Sequence, residues 1–170
     1  MTKMIVLDLD DTLLRSDKTV SPYTEMVLKK ARDAGVKLVL ATGRPIRSSA
    51  PYHHQLQCDA LICHNGNIIL CGEQVFSGPG VPIREAERIL TSLQKKYPDK
   101  KLSVEINDRI YANFDVLTIW GKNETDRQLL GSPAIVADFT ELPDETADKL
   151  LIETESTQEF EEVVSLLPPD

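Results

Sequence analysis

Three acidic residues follow directly on a short apolar run near the start of the chain. Asp8 interrupts the apolar run from Met4 to Leu9, and Asp10 and Asp11 follow it. Continuous apolar runs are typical of parallel strands buried on both faces, and ligands of open α/β sheets bind outside the carboxyl ends of such strands. Side chains at i and i+2 of a strand point the same way, so Asp8 and Asp10 are expected to face one site. Two carboxylates that close repel each other unless a cation, a proton or a hydrogen-bond donor compensates their charge. The alternative interpretation of this acidic segment is a surface turn, where aspartate is common.

A second polar segment follows the next apolar run. The residues Val36 to Ala41 predict another buried strand, and Thr42, Gly43 and Arg44 come directly after it, with Pro45 opening a helix. Backbone N–H groups at a helix N-terminus bind anions, and a glycine lets the backbone approach a ligand closely. The segment therefore indicates an anion site. Two alternatives stay open: the segment merely turns the chain into the helix, or Arg44 pairs with a surface acid.

Together these two strand ends suit phosphoryl chemistry. A carboxylate can act as a nucleophile towards phosphorus, and a second carboxylate can protonate the leaving oxygen and later activate water. Magnesium would reduce the repulsion between the acids and offset the phosphate charge.

The elements that must position these residues alternate between strand and helix. Ser21 and Pro22 predict a helix start, and Gly35 predicts its end. Asp11 to Val20 is predicted to form a hairpin flap, and Asp59 to Cys63 a third strand. A small hairpin follows the Asn-Gly turn signal at 65–66. The order predicts an α/β fold, a Rossmann-like parallel sheet with right-handed crossovers.

The composition changes at residues 77–82, where two glycines and two prolines predict a linker. We place the domains at residues 1–81 and 82–170. The second domain is predicted to be α+β, with helices and strands in these segments: Ile83–Tyr97, Leu102–Ile106, Ile110–Asn113, Ala134–Phe139, Leu150–Glu153 and Thr157–Leu167.

The composition of the chain limits the classes of partner that it is expected to bind. The 170 residues carry a net charge of -8 and no basic block, which argues against a nucleic-acid binder. There is no signal pattern and no apolar run of membrane-spanning length, so we expect no membrane partner and a cytoplasmic location. The three cysteines lack metal-ligand spacing and are expected to be reduced thiols.

Two motifs carry a resemblance to a known family. Residues 8–12, Asp-Leu-Asp-Asp-Thr, resemble motif one (D-x-D-x-T) of the haloacid dehalogenase-like superfamily, and residues 41–44 resemble its motif two. Residues 14–21 and 63–67 resemble the Cof-type branch, which has a class IIB cap. The resemblance implies a magnesium-dependent phosphatase of sugar phosphates and similar small phosphorylated metabolites.

The resemblance also implies roles by position. Asp8 would be the nucleophile that becomes phosphorylated, and Asp10 the general acid/base. Magnesium would be bound by the Asp8 side chain and the Asp10 backbone carbonyl. Thr12 would support the loop, and Thr42, with the Gly43 amide, would hold the phosphoryl group, next to the Arg44 backbone N–H that we include in the predicted phosphate site.

The chain departs from the family pattern after Pro82. Neither the expected lysine nor a G-D-x-x-N-D-like segment is present in the sequence. We therefore expect both the core and the class IIB-like cap to be incomplete, and little turnover by this chain alone. We also expect an open sheet edge beside the first strand, through which copies could associate. Two alternative functions stay open: a catalytically impaired binding module, and a phosphotransferase or phosphomutase.

Overall fold

The computed structural model describes residues 3–167, so residues 1–2 and 168–170 of the two predicted domains lie outside it. Contacts between residues divide the chain into two compact units, the first ending at Gly78 and the second beginning at Pro79. The predicted boundary, after residue 81, lies close to this division. None of the helices within the described residues combines the length and apolar character needed to cross a bilayer.

The first unit is built on one mixed sheet with the strand order β1-β2-β3-β4-β5. The first three strands are parallel, and β4 and β5 add antiparallel hairpins at one side. The α/β class is thereby confirmed. The bounds are β1 Met4–Leu7, α1 Pro22–Asp33, β2 Lys37–Ala41, α2 Ile46–Leu56, β3 Ala60–Cys63, β4 Ile68–Cys71 and β5 Gln74–Ser77.

Helix α1 begins and ends where the sequence predicts. The Ser21 hydroxyl accepts a hydrogen bond from the Thr24 amide at 3.0 Å, and Pro22 occupies the first helical position. Gly35 follows the helix with a φ of +84°, a conformation that favours glycine. The two helices and the parallel strands share one apolar core, and each fully buried leucine in it contributes about 2 kcal/mol. The core leucines of these elements are Leu28, Leu38, Leu40, Leu56 and Leu61.

Two predictions for the start of the first unit are wrong. Strand β1 ends at Leu7 and not at Leu9. Residues 11–20 contain no strand, so the predicted flap is not a β-hairpin, although the Arg15 amide donates to the Thr19 carbonyl at 2.9 Å and closes a turn. Leu9–Leu13 forms one wide turn that the Leu14 amide closes on the Leu9 carbonyl at 2.9 Å, and Asp10 and Asp11 depart from helical backbone angles within it. The segment does not project as a hairpin because four of its side chains are buried in the core of the first unit. They are Leu9, Leu13, Leu14 and Val20.

Strand β1 lies at the outer edge of the sheet. Its Met4 and Val6 side chains are 56% and 55% exposed. The described part of the first unit therefore has the open apolar edge that the sequence predicts, and association of copies through it stays a prediction.

The second unit is built on a four-stranded sheet with the order β8-β7-β6-β9. Pairing is antiparallel except between β7 and β8. The bounds are α3 Ile83–Lys96, β6 Leu102–Ile106, β7 Arg109–Ala112, α4 Val116–Trp120, α5 Glu124–Leu130, β8 Ala134–Ile135, β9 Lys149–Ile152 and α6 Thr157–Ser165.

The core of the second unit lies between its sheet and helices α3 and α6. The apolar stripe of α3, including Ile89, Leu90 and Leu93, packs with Leu102 and Val104 of β6. All five side chains are buried almost completely. The helical periodicity of residues 83–93 therefore reports a packing face.

Two features of the second unit differ from the prediction. The strand predicted over residues 134–139 is wrong beyond Ile135, because the Asp138 carboxylate accepts a hydrogen bond from the Thr140 amide at 2.9 Å and starts a turn. Helices α4 and α5 were not predicted, and the side chains of Asp115 and Asn123 cap their N-termini.

Candidate active site

The ends of neighbouring parallel strands bring the predicted site residues together. Leu7 of β1 lies opposite Leu40 of β2, so the residues that follow each strand meet at one edge of the sheet. Asp8, Thr42 and Gly43 line one shallow depression of about 410 Å³. Its remaining lining residues are Ala41, Ile62, Asn65 and Gly66. A carboxylate thus shares a solvent-open site with a helix-preceding loop.

A short loop holds Thr42 and Gly43 close to the side chain of Asn65. Thr42 is 6% exposed, its amide donates to the Ile62 carbonyl at 2.9 Å, and its hydroxyl accepts from the Arg44 amide at 3.2 Å. A Cβ atom on Gly43 would lie 2.7 Å from the Asn65 Oδ1 atom. A larger residue at position 43 would therefore have to displace the Asn65 side chain.

Asn65 is a site residue that the sequence analysis did not select. It follows β3, the third parallel strand, and its amide donates to the Thr42 carbonyl at 3.2 Å. Its φ of +56° is a conformation that asparagine tolerates better than most residues. The available signal was its position at the carboxyl end of a strand, which the turn-forming character of Asn-Gly obscured.

The Asp10 carboxylate is held by two cations and does not line the depression. Arg44 donates from Nε to Oδ2 at 2.6 Å and from Nη2 to Oδ1 at 2.7 Å, while the Lys18 ammonium donates to Oδ1 at 2.8 Å. Such forked arginine pairs are among the stronger hydrogen bonds in proteins. The hydrogen bonds from Arg44, with those from Lys18, hold the pKa of Asp10 well below its ordinary range, against the opposing effect of burial. The same ion pair raises the pKa of Arg44.

Tyr52 supports both cations. Its hydroxyl donates to the Lys18 carbonyl at 2.8 Å, and the Arg44 guanidinium lies 5.6 Å from the centre of its ring. Neither Lys18 nor Tyr52 was selected from the sequence. No local pattern marks them, because Tyr52 lies 34 residues from Lys18.

These contacts bear on the predicted roles of Asp10 and Arg44. The expectation that Asp8 and Asp10 face one site came from strand alternation, and β1 ends before Asp8. The Arg44 side chain binds an acid, as the alternative interpretation allowed, and that acid is Asp10. The Asp10 carboxylate is therefore held in its ionised form here, and either accepting or donating a proton would first require a change of partners.

The donor atoms fit an open magnesium site of low ligand count. Among the described residues, no cluster of three or more histidine, cysteine or acidic side chains could hold a metal ion. The predicted ligands, the Asp8 carboxylate and the Asp10 backbone carbonyl, are hard oxygen donors. Magnesium commonly binds through one or two protein oxygens together with waters and substrate phosphate, so this pair suits it in kind.

Comparison with known proteins gives a family match over nearly the whole chain. The family model described as haloacid dehalogenase-like hydrolase matches residues 5–170. The motif-one and motif-two segments both lie inside this match.

Relatives and solved structures agree with that match. The chain is 30% identical over 115 residues to 5-amino-6-(5-phospho-D-ribitylamino)uracil phosphatase YitU of Bacillus subtilis, covering 65% of this chain and 42% of that protein. It is 32% identical over 99 residues to pyridoxal phosphate phosphatase YbhA of Escherichia coli, covering 56% and 36%. The fold resembles that of a subclass IIB sugar phosphatase of the superfamily, with a TM-score of 0.68 and 22% identity over 86% of this chain and 56% of that one. The matches thus span less than half the length of these curated relatives.

Proposed function

Since this chain belongs to the haloacid dehalogenase-like hydrolase family, we propose that its first unit carries the phosphoryl-transfer site of a magnesium-dependent phosphohydrolase. The proposed substrates are small phosphorylated metabolites, sugar phosphates among them. The proposal concerns the activity of the whole protein, because the matches cover less than half of the curated relatives.

One observation carries the proposal: Asp8, Thr42 and Gly43 line the same depression. A nucleophile and an anion-binding loop must lie side by side for a carboxylate to reach phosphorus, and here two adjacent parallel strands bring them there. The depression is open, so a phosphate monoester can enter it.

In the proposed reaction, an Asp8 carboxylate oxygen attacks phosphorus, and the bond from phosphorus to the leaving alcohol breaks. The Thr42 hydroxyl and the Gly43 amide bind the phosphoryl oxygens, where negative charge develops. Once the Asp10 carboxylate has left its cations and taken up a proton, it serves as general acid to the leaving oxygen. The carboxylate that results is then the general base to the water that hydrolyses the aspartyl phosphate. The Asp8 carboxylate and the Asp10 carbonyl would hold magnesium, which when bound offsets the charge of the phosphoryl group.

We also propose that the second unit is a cap of the class IIB type. Its mixed four-stranded sheet, covered by α3 and α6, and the fold likeness to a subclass IIB phosphatase support this assignment.

The test is covalent trapping together with phosphate release. The protein is incubated with magnesium chloride and a panel of phosphate monoesters that includes an aryl phosphate, sugar phosphates and pyridoxal phosphate. We expect one phosphoryl group on Asp8 by peptide mass spectrometry, and loss of both label and release in Asp8→Asn. Asp33→Asn, on the exposed surface of α1, is the matched control. Phosphate release that Asp8→Asn leaves unchanged contradicts the proposal, and phosphate appearing on an added sugar instead of in solution favours a phosphotransferase.

A further inference from the structure

We propose that Lys18 and Arg44 form an anion-binding pair that Asp10 occupies at rest and that the phosphoryl group of a substrate takes over. The Asp10 carboxylate acts as an internal competitor for its own site's cations. This inference deepens the proposed function and rests on it.

The charges of the cluster carry the first step. Both oxygens of Asp10 are engaged, one by Arg44 alone and the other by Arg44 and Lys18. Among these three side chains, two cations therefore face a single carboxylate. Two oxygens of a phosphoryl group also accept both arms of the planar arginine fork, and the group carries more charge, so it can replace a carboxylate in the same contacts.

The backbone of Arg44 links the pair to the depression, although neither Arg44 nor Lys18 lines it. Arg44 directly follows Gly43, and its amide binds the hydroxyl of Thr42; both of these neighbours line the depression. The cation that can reposition is Lys18, whose side chain is 37% exposed and has a flexible four-carbon stem. Arg44 is only 14% exposed and is further bound to the Ser48 carbonyl at 3.3 Å.

Tyr52 makes the exchange a local one. Because its hydroxyl fixes the Lys18 backbone and its ring lies against Arg44, the two cations stay near each other whichever anion they bind. Anion binding then has a second effect: it releases the Asp10 carboxylate from both cations. A bound phosphoryl group would thereby free the proposed acid/base at the moment it is needed.

Internal competition has a measurable signature. A ligand that must first displace a resting partner binds more weakly than it would bind to the free site. Its apparent Kd equals the intrinsic Kd divided by the fraction of molecules in which the site is free. Removing the Asp10 charge should therefore tighten phosphate binding, by about tenfold. Removing a negative charge would also tighten phosphate binding through the general electrostatic potential. That gain in affinity would be the same with and without Lys18, whereas a gain from released competition depends on Lys18.

The experiment is a double-mutant cycle by isothermal titration calorimetry. Inorganic phosphate is titrated into the wild-type chain, Asp10→Asn, Lys18→Met and the double variant, all at one fixed concentration of magnesium chloride. We expect Asp10→Asn to lower the Kd about tenfold and Lys18→Met to raise it. In the double variant, most of the gain from Asp10→Asn should be lost, and Lys18→Arg should retain the wild-type behaviour.

Asp33→Asn is the matched control for charge. Asp33 pairs with Lys29 in the same unit at 2.8 Å, the same distance as between Lys18 and Asp10, but on the exposed surface of α1. We expect this variant to change the phosphate Kd less than twofold, on the order of screening between exposed charges. Thermal unfolding of each variant verifies that it is folded.

Three results overturn the inference. If Asp10→Asn binds phosphate no more tightly than the wild type, Asp10 does not compete with phosphate for the two cations. Phosphorylation of Asp8 would then still support the proposed function. A gain that persists undiminished without Lys18 removes this residue from the pair. If neither the wild type nor Asp10→Asn binds phosphate, the inference is overturned, and the result also counts against the proposed function.

Discussion

Two clusters of ion pairs, one in each unit, differ in charge balance and in what they connect. The Asp10 cluster (Asp10, Lys18 and Arg44) sets two cations against one carboxylate. The α6 cluster pairs its cations and acids one to one, with contacts of 2.6 Å and 2.5 Å between ammonium and carboxylate. Its members are Lys96, Lys100, Glu159 and Glu162.

The α6 cluster has the features of a structural connection. Lys100 and Glu159 are only 9% and 13% exposed, and the Lys100 ammonium also donates to the Glu153 carbonyl at 2.8 Å. Tyr97 adds its hydroxyl to the Glu162 carboxylate. These contacts tie α6 to the end of α3 and the segment after it. The α6 cluster also borders a depression, of about 320 Å³, which Lys96, Lys100 and Glu159 help to line. Charge balance, and not the presence of a depression, is therefore what separates the two clusters.

The largest expected effect separates the clusters by ligand binding. Arg44→Met removes the forked contact to Asp10, so we expect the phosphate Kd to rise at least about tenfold and the free energy of unfolding to fall by about 2 kcal/mol. Calorimetry and urea unfolding measure the two quantities. Lys96→Met, in the α6 cluster, is the control and should leave the phosphate Kd unchanged. Equal effects of the two substitutions on the Kd would erase the distinction.

A substitution in the α6 cluster should affect stability alone. Lys100→Met leaves the Glu159 carboxylate and the Glu153 carbonyl without their cation, and we expect the melting temperature to fall by about 5 °C. Differential scanning calorimetry measures the change. A melting temperature within one degree or so of the wild type, that is, within the effect of an ordinary surface substitution, would mean that the cluster does not hold α6 in place.

The Asp10 cluster should also make stability depend on pH. The pKa of Asp10 lies below its ordinary value of 3.8 in the folded chain, so on acidification the unfolded chain takes up this proton first. The stabilisation is therefore present at neutral pH and is lost as the pH falls below about 4. Because Asp10 is partly exposed, we expect an advantage over Asp10→Asn of about 1 kcal/mol at pH 7. Urea unfolding at pH 7 and pH 3 should show this advantage shrinking; a constant difference would contradict the role of the ion pairs.

The smallest expected effect concerns the turn that carries Asp10. Asp11 has a φ of +55°, a left-handed conformation that glycine adopts without strain. Asp11→Gly should raise the free energy of unfolding by about 0.5 kcal/mol, since relief of strain exceeds the added entropy of the unfolded chain. Gln57→Gly, at a φ of +51° after α2, is the matched control. A phosphate Kd altered by the first variant alone would show that the turn also positions Asp10.

Much of the first unit follows from sequence, and the errors fall near its start. Apolar runs and caps placed α1, β2, α2 and β3 within one or two residues. The flap was mispredicted because its leucines are buried, and burial of a loop depends on a core that local periodicity does not describe. The short helices α4 and α5 were missed for the related reason that five to seven residues show too little periodicity.

Sequence alone determined that Asp8 and the Thr42-Gly43 loop would meet, because parallel strands with right-handed crossovers must end at one edge of the sheet. Only the tertiary structure decided the partners of Asp10. Arg44 and Lys18 lie 34 and 8 residues away from it, and Asn65 reaches Gly43 across a separate loop. Such contacts depend on side-chain rotamers and loop conformations. Those are set by packing in three dimensions, whereas strand and helix order is set by neighbours along the chain.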